Sequence, residues 1–253
     1  MSAGPTDVHA AAARGAEPVV GRAADAPGSD PRLAADANAV VLAGGRARRL
    51  GGIDKTALAR DGASLLAEAV RAASGCARTV VVGAGSRPGG VTDAQRRAVG
   101  SARLVDEEPA HGGPAAALAA GLRDLDRAAP TAWILVLAAD LARAPEAVAA
   151  LLPRRRDPAR ADGRDALVAR DPDGRAQPLL ALYRAAPLRA ALAAVDDASG
   201  LPGASLRSVL AALGPGRVAY VVLPARLCAD VDTPADAHAL GLRLPDDRIP
   251  HAR

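Results

Sequence analysis

Phenylalanine is absent from this chain of 253 residues, and its only aromatic side chains are Trp133, Tyr183 and Tyr220. Proteins that bind single-stranded nucleic acid stack bases on several aromatic rings, so that class of function is nearly ruled out, and only the basic pI of about 9.8 points toward it. Lysine is nearly absent as well: of 32 basic residues, 31 are arginine and the remaining one is Lys55. The net charge of +4 is modest for this length and is not gathered on one amphipathic stretch, which argues against any nucleic-acid partner. Cysteine occurs twice, at Cys76 and Cys228, with no CxxC pair and no Cys/His cluster. Neither a disulfide framework nor a zinc site is expected, and a reducing, cytoplasmic compartment follows. The longest strongly apolar run, Trp133 to Ala139, falls far short of the roughly 18 residues of a membrane span. A charged segment followed by an apolar one is missing from the N-terminus, so no secretory signal is expected.

Alanine is what the chain has in quantity, 66 residues of it. Residues 1–37 are rich in Ala, Gly, Pro and Asp without apolar periodicity and are expected to be a disordered extension. From Asn38 onward, short apolar runs alternate with Ala-rich amphipathic segments. Strands are expected over Ala39–Ala43, Thr79–Gly83, Ala102–Val105, Ala132–Ala139, Ala166–Ala169, Pro178–Tyr183 and Val218–Leu223. Helices are expected over Ala63–Ala73, Pro114–Ala128, Ala144–Leu152, Pro187–Val195, Ser205–Leu213 and Thr233–Leu240, the last capped by Thr233 with Pro234 at its first position. The Arg- and Asp-rich stretch 153–175 reads as solvated loop apart from the strand inside it. The alternation predicts an α/β domain over 38–243, a Rossmann-like three-layer α/β/α arrangement with a mostly parallel twisted sheet. Residues 244–253 are expected to be a frayed tail.

Directly after the first strand the chain reads Leu42-Ala43-Gly44-Gly45-Arg46-Ala47-Arg48-Arg49-Leu50-Gly51-Gly52-Ile53-Asp54-Lys55. Open α/β sheets place ligand loops at this position. The glycines let the backbone approach a ligand and turn N–H groups inward, while Arg46, Arg48, Arg49 and Lys55 supply positive charge for a polyphosphate. The spacing fits neither a Walker A loop nor GxGxxG. Arginine is a planar fork and lysine a compact point charge, so a site that needs the point charge would keep its lysine where the rest of the chain uses arginine.

This loop closely resembles the signature loop of the molybdenum cofactor guanylyltransferases and their molybdopterin-type nucleotidyltransferase relatives. Their pattern is a strand, Leu-Ala-Gly-Gly, a short basic stretch and Gly-x-Asp-Lys. Further segments resemble the family in the same order: Val105-Asp106 followed by His111-Gly112-Gly113-Pro114, Leu137-Ala138-Ala139-Asp140, Gln177-Pro178-Leu179-Leu180-Ala181-Leu182-Tyr183, and Asp230-Val231-Asp232-Thr233-Pro234. Together they span about residues 38–241. The chain departs from the pattern at Ala139 and Ala142, where the family usually has Cys and Pro, and at Asp230 and Asp232, where guanylyltransferases often carry Asn.

The resemblance implies a Mg²⁺-dependent transfer of a nucleoside monophosphate, from GTP or another NTP to a molybdopterin-type acceptor, with release of pyrophosphate. It implies Lys55, Arg49 and Asp140 as catalytic residues. Leu42, Ala43, Gly44, Gly45, Lys55, Asp106 and Asp140 would bind the nucleotide, Asp106 at its base or ribose, and Asp140 and Asp232 would hold the metal. Molybdoenzymes or cofactor-delivery proteins are the implied protein partners. Physical chemistry agrees with the roles, since nucleotidyl transfer asks the protein mainly to neutralise phosphate charge, and Mg²⁺ takes one or two carboxylates plus phosphate oxygens and waters. The plainer alternatives are a helix-start acid for Asp140, a cap for Asp232 and a turn acid for Asp106. Cytidylyl transfer, another phosphorylated acceptor and a catalytically silent nucleotide binder are the competing functions.

Overall fold

The computed structural model describes residues 36–44, 54–84, 92–126, 130–157 and 162–243. Residues 1–35 and 244–253 of the expected terminal extensions, and loop residues 45–53 with Gly45 and Arg49 among them, lie outside the described residues. Asp36 and Ala37, expected to end the N-terminal extension, belong to the domain, Ala37 as the fully buried first residue of the first strand and Asp36 paired with Arg155. Nine strands occur among the described residues: β1 (Ala37–Leu42), β2 (Ala59–Arg60), β3 (Ala63–Ser64), β4 (Thr79–Val82), β5 (Arg103–Val105), β6 (Trp133–Ala138), β7 (Ala166–Arg170), β8 (Ala176–Arg184) and β9 (Val218–Val222). The helices are α1 (Leu65–Ala72), α2 (Asp93–Val99), α3 (Pro114–Leu125), α4 (Ala144–Leu151), α5 (Ala185–Ser199), α6 (Leu206–Leu213), α7 (Ala225–Cys228) and α8 (Pro234–Ala239).

Seven strands form one sheet in the order β5-β4-β1-β6-β8-β7-β9, and only β8 runs against the others. The central strands are largely apolar because both faces are covered. Val41, Leu135, Leu137 and Leu167 pack against α1 and α4 on one side. On the other side Val40, Val136, Val168 and Tyr183 pack against α3, α5 and α6. The expected three-layer fold is therefore what forms. Gly121 lets α3 lie close on the sheet, since a Cβ there would meet Val40 Cγ1 at 2.7 Å and Val82 Cγ2 at 3.0 Å.

Three local expectations change. Ala63 and Ser64 pair with Arg60 and Ala59 in a hairpin, so the first helix begins only at Leu65, capped by Ser64. Helix α2 was not expected; it is short, and a capping box between Thr92 and Gln95 opens it. Residues Leu152–Arg156 form a 3-10 turn rather than solvated loop, and Arg155 within it is 5% exposed and paired with Asp36. Among the described residues no helix is long and apolar enough to cross a membrane.

Candidate active site

The register of the parallel strands lines up Val105, Val82, Leu42 and Ala138 at one edge of the sheet. The chain leaving each strand there supplies the site. A cavity of about 350 Å³ opens at this edge, lined by Leu42, Gly44, Glu107, His111, Gly113, Pro114, Ala117, Ala138, Asp140 and Leu179. Gly44 and Gly83 cross so closely that a Cβ on Gly83 would stand 2.9 Å from Gly44 Cα, and Gly83 also has φ +82°. Leu179 reaches the cavity beside an irregularity in β8. The β7–β8 register shifts between Val168 and Ala169, and the Tyr183 hydroxyl donates to the Pro178 carbonyl at 2.9 Å.

Lys55 enters from a separate direction. Asp54 caps the 3-10 turn Lys55–Ala57: its Oδ1 accepts from Thr56 N at 2.9 Å and from Thr56 Oγ1 at 2.7 Å, while its Oδ2 accepts from Gln95 Nε2 at 2.7 Å. The turn is then pressed against the late Asp-Val-Asp-Thr-Pro segment by a small apolar cluster of Leu58, Leu65, Ala142, Val231, Ala237 and Leu242. At the exit of β6, Ala142 N donates to Ala229 O and Val231 N donates to Asp140 O, at 3.0 and 3.3 Å. These links bring three residues from distant parts of the chain together. Lys55 Nζ lies 2.5 Å from Asp232 Oδ1 and 3.7 Å from Asp140 Oδ2. Burial pushes the Asp140 carboxyl above its ordinary range, against the opposing pull of Lys55; Asp230 and Asp232 add to the rise. Asp232 is not the cap of α8, because the Thr233 side chain accepts from Asp236 N and fills that role.

A family profile for the MobA-like NTP transferase domain matches residues 39–225. The chain belongs to this family. No curated protein sequence matches it. Among solved structures, Rv0371c from Mycobacterium tuberculosis H37Rv is 24% identical, with 82% of this chain and 98% of that chain covered at a TM-score of 0.55. Molybdopterin-guanine dinucleotide biosynthesis protein A from Archaeoglobus fulgidus is 21% identical, with 80% and 96% covered and a TM-score of 0.53. The inositol-1-phosphate CTP transferase from T. maritima is 16% identical, with 81% and 93% covered and a TM-score of 0.54. At these identities the neighbours show the fold.

Within this NTP transferase domain the expected residues fall into two groups. Leu42, Gly44 and Asp140 line the cavity, and Lys55 and Asp232 meet Asp140 beside it. Ala43 is buried behind the edge, its N–H donating to Val82 O, and Asp106 is exposed at the exit of β5; neither lines the cavity. Sequence reasoning passed over Glu107, which is 6% exposed and lines the cavity wall. The available signal was strand alternation: Val105 faces α3, so a continued period of two returns Glu107 to that face. His111, which opens the His-Gly-Gly-Pro segment, also lines the cavity, with φ 62°. Cys76 and Cys228 are free thiols that burial pushes up to about 12 and about 11, which leaves them inert at neutral pH.

Proposed function

We propose that the protein transfers a guanylyl group from GTP to a molybdopterin-type phosphorylated acceptor and releases pyrophosphate, as a cytoplasmic step in molybdenum cofactor assembly. The observation that carries this reading is the meeting of Lys55, Asp140 and Asp232 beside a cavity walled by Gly44. One compact cation and two carboxylates at the carboxyl edge of a parallel sheet suit a triphosphate whose charge must be balanced while its α-phosphorus is attacked.

In this reading the nucleotide base enters the cavity and the triphosphate runs out past Gly44 toward Lys55. Asp106, exposed one residue before Glu107, meets the nucleotide from outside, at its ribose. Lys55, together with Arg49 in the loop, neutralises the oxygens of the departing pyrophosphate, and Gly45 and Ala43 shape the loop around the phosphates. Asp140 and Asp232 already close on one cation, and such hard oxygen donors fit Mg²⁺. Among the described residues no group of three or more His, Cys, Asp or Glu side chains gathers, so the ion would draw its other ligands from phosphate and water. When bound there it supplies positive charge to the triphosphate that the protein alone lacks. Molybdoenzymes or cofactor-delivery proteins would then receive the product.

A second reading is cytidylyl transfer. The acidic Asp230 and Asp232, in place of the Asn that guanylyltransferases often carry, favour it, and the T. maritima neighbour named above is a CTP transferase. Pyrophosphate release measured with each of the four NTPs, with and without molybdopterin, separates the two. Guanylyl transfer predicts acceptor-dependent release with GTP; release with CTP alone moves the protein to the second reading.

A further inference from the structure

We infer that Glu107 is the residue that selects the base, admitting guanine and turning away adenine. The inference rests on the proposed nucleotide reading and assigns the discrimination to one carboxylate.

Glu107 sits in the wall of the cavity at the sheet's carboxyl edge, with 6% of its surface exposed. Its Oε1 accepts from His111 N at 2.9 Å, and a Cβ built on Gly44 would stand 3.5 Å from the same oxygen. The carboxylate therefore lies against the backbone of the nucleotide loop. Among the described residues no lysine, arginine or histidine forms an ion pair with it. A carboxylate has room for about four donated hydrogen bonds, and the described residues supply one, which leaves acceptor capacity for a ligand in the cavity.

The four bases answer such a carboxylate differently. Guanine presents N1–H and the N2 amine side by side, two donors spaced for two carboxylate oxygens. Adenine sets its N1 acceptor beside its amine, and cytosine sets N3 beside its own. Uracil offers one N–H between two carbonyls. Only guanine meets the pair of oxygens without placing an acceptor against them. Sites built around such hydrogen bonds reject the wrong partner strongly, because the buried group is otherwise left unpaired. Asp106 is exposed and outside the cavity wall, so it lacks the burial that makes the contact selective.

The test is calorimetric binding of GTP, ITP and ATP to the full chain and to Glu107→Gln. ITP lacks only the N2 amine, so it probes the second donor without any change to the protein. The unaltered protein should bind GTP about 10- to 100-fold more tightly than ITP, the effect of losing one hydrogen bond to a charged group, and ATP more weakly still. Glu107→Gln keeps an acceptor for His111 N but replaces one oxygen with an amine, so the preference for GTP over ATP should fall by a similar factor. If all three nucleotides weaken equally in the variant, Glu107 only braces the loop and the inference is overturned. Equal binding of GTP and ITP by the unaltered protein overturns it too. Turnover is not needed for this readout, so a failure of guanylyl transfer itself would show separately, as binding without pyrophosphate release.

Discussion

Replacing Lys55 should cost far more activity than stability. Its ammonium meets Asp232 at 2.5 Å and Asp140 at 3.7 Å, with 17% of the lysine side chain and 46% of the Asp232 side chain exposed. Ion pairs open to water contribute about 0–1 kcal/mol, so Lys55→Ala should lower the melting temperature by at most about 2–4 °C in a domain of this size. Losing a donor aimed at charge that develops in the transition state costs about 10²–10³ in kcat, equivalent to about 2.7–4 kcal/mol. Lys55→Arg separates the two effects more sharply. A guanidinium can bridge both carboxylates, so the fold should be as stable as before or more so. Its planar fork cannot reproduce a compact charge on phosphate, so turnover should still fall at least tenfold. Pyrophosphate release at saturating GTP, read beside urea unfolding of the same preparations, gives both numbers. Full turnover by Lys55→Arg would mean that no compact point charge is needed there and that the survival of a single lysine is an accident.

Three further outcomes are expected. Gly121→Ala adds a methyl 2.7 Å from Val40 Cγ1. Overpacking of this kind costs about 1–3 kcal/mol against a helix-propensity gain of about 1, so urea unfolding should show net loss, and a gain would mean that α3 shifts freely. Asp140→Asn removes a carboxylate whose proton affinity the fold has raised. The native state favours the protonated form, and that contribution is complete below the unfolded value near 3.8 and disappears as pH rises through the folded one. The variant should therefore be more stable than the parent at pH 7, by a margin that vanishes toward pH 3, while its Mg²⁺ requirement for turnover rises steeply; equal stability at both pH values would contradict the burial argument. Deleting residues 1–35, whose composition offers little apolar surface to bury, should leave melting temperature and GTP binding nearly unchanged, and a drop of several degrees would show that the segment docks on the domain.

Legibility in the sequence followed the range of the interactions. The apolar runs that became β1, β4, β6 and β9 were plain, because strands of a sheet covered by helices are mostly apolar along their length. The reversed direction of β8 was not, since an antiparallel strand in the middle of such a sheet carries the same apolar run. The hairpin β2–β3 had a turn signal in Asp61-Gly62, but its strands are two residues each and left no periodicity to count. In the site, the glycine loop, Lys55, Asp140 and Asp232 stood out by residue type. Their meeting point did not, because it depends on Leu58 and Leu65 packing against Val231 and Ala237 across most of the chain. Glu107, the acid in the cavity wall, lies one residue beyond Asp106, to which the motif pointed, and only the face that Val105 turns toward α3 distinguishes the two acids.

On the proposed function, the carboxyl edge built by Gly44, Lys55, Asp140 and Asp232 joins a nucleotide to a phosphorylated acceptor. Mass spectrometry of the products formed from GTP, Mg²⁺ and molybdopterin, with pyrophosphate counted in the same reaction, reads this out in one experiment. A molybdopterin–guanosine dinucleotide and pyrophosphate should form in equal amounts, and both should be lost in Asp140→Asn. Inorganic phosphate in place of pyrophosphate, or bound GTP that yields no dinucleotide with this or any phosphorylated acceptor, would contradict that function.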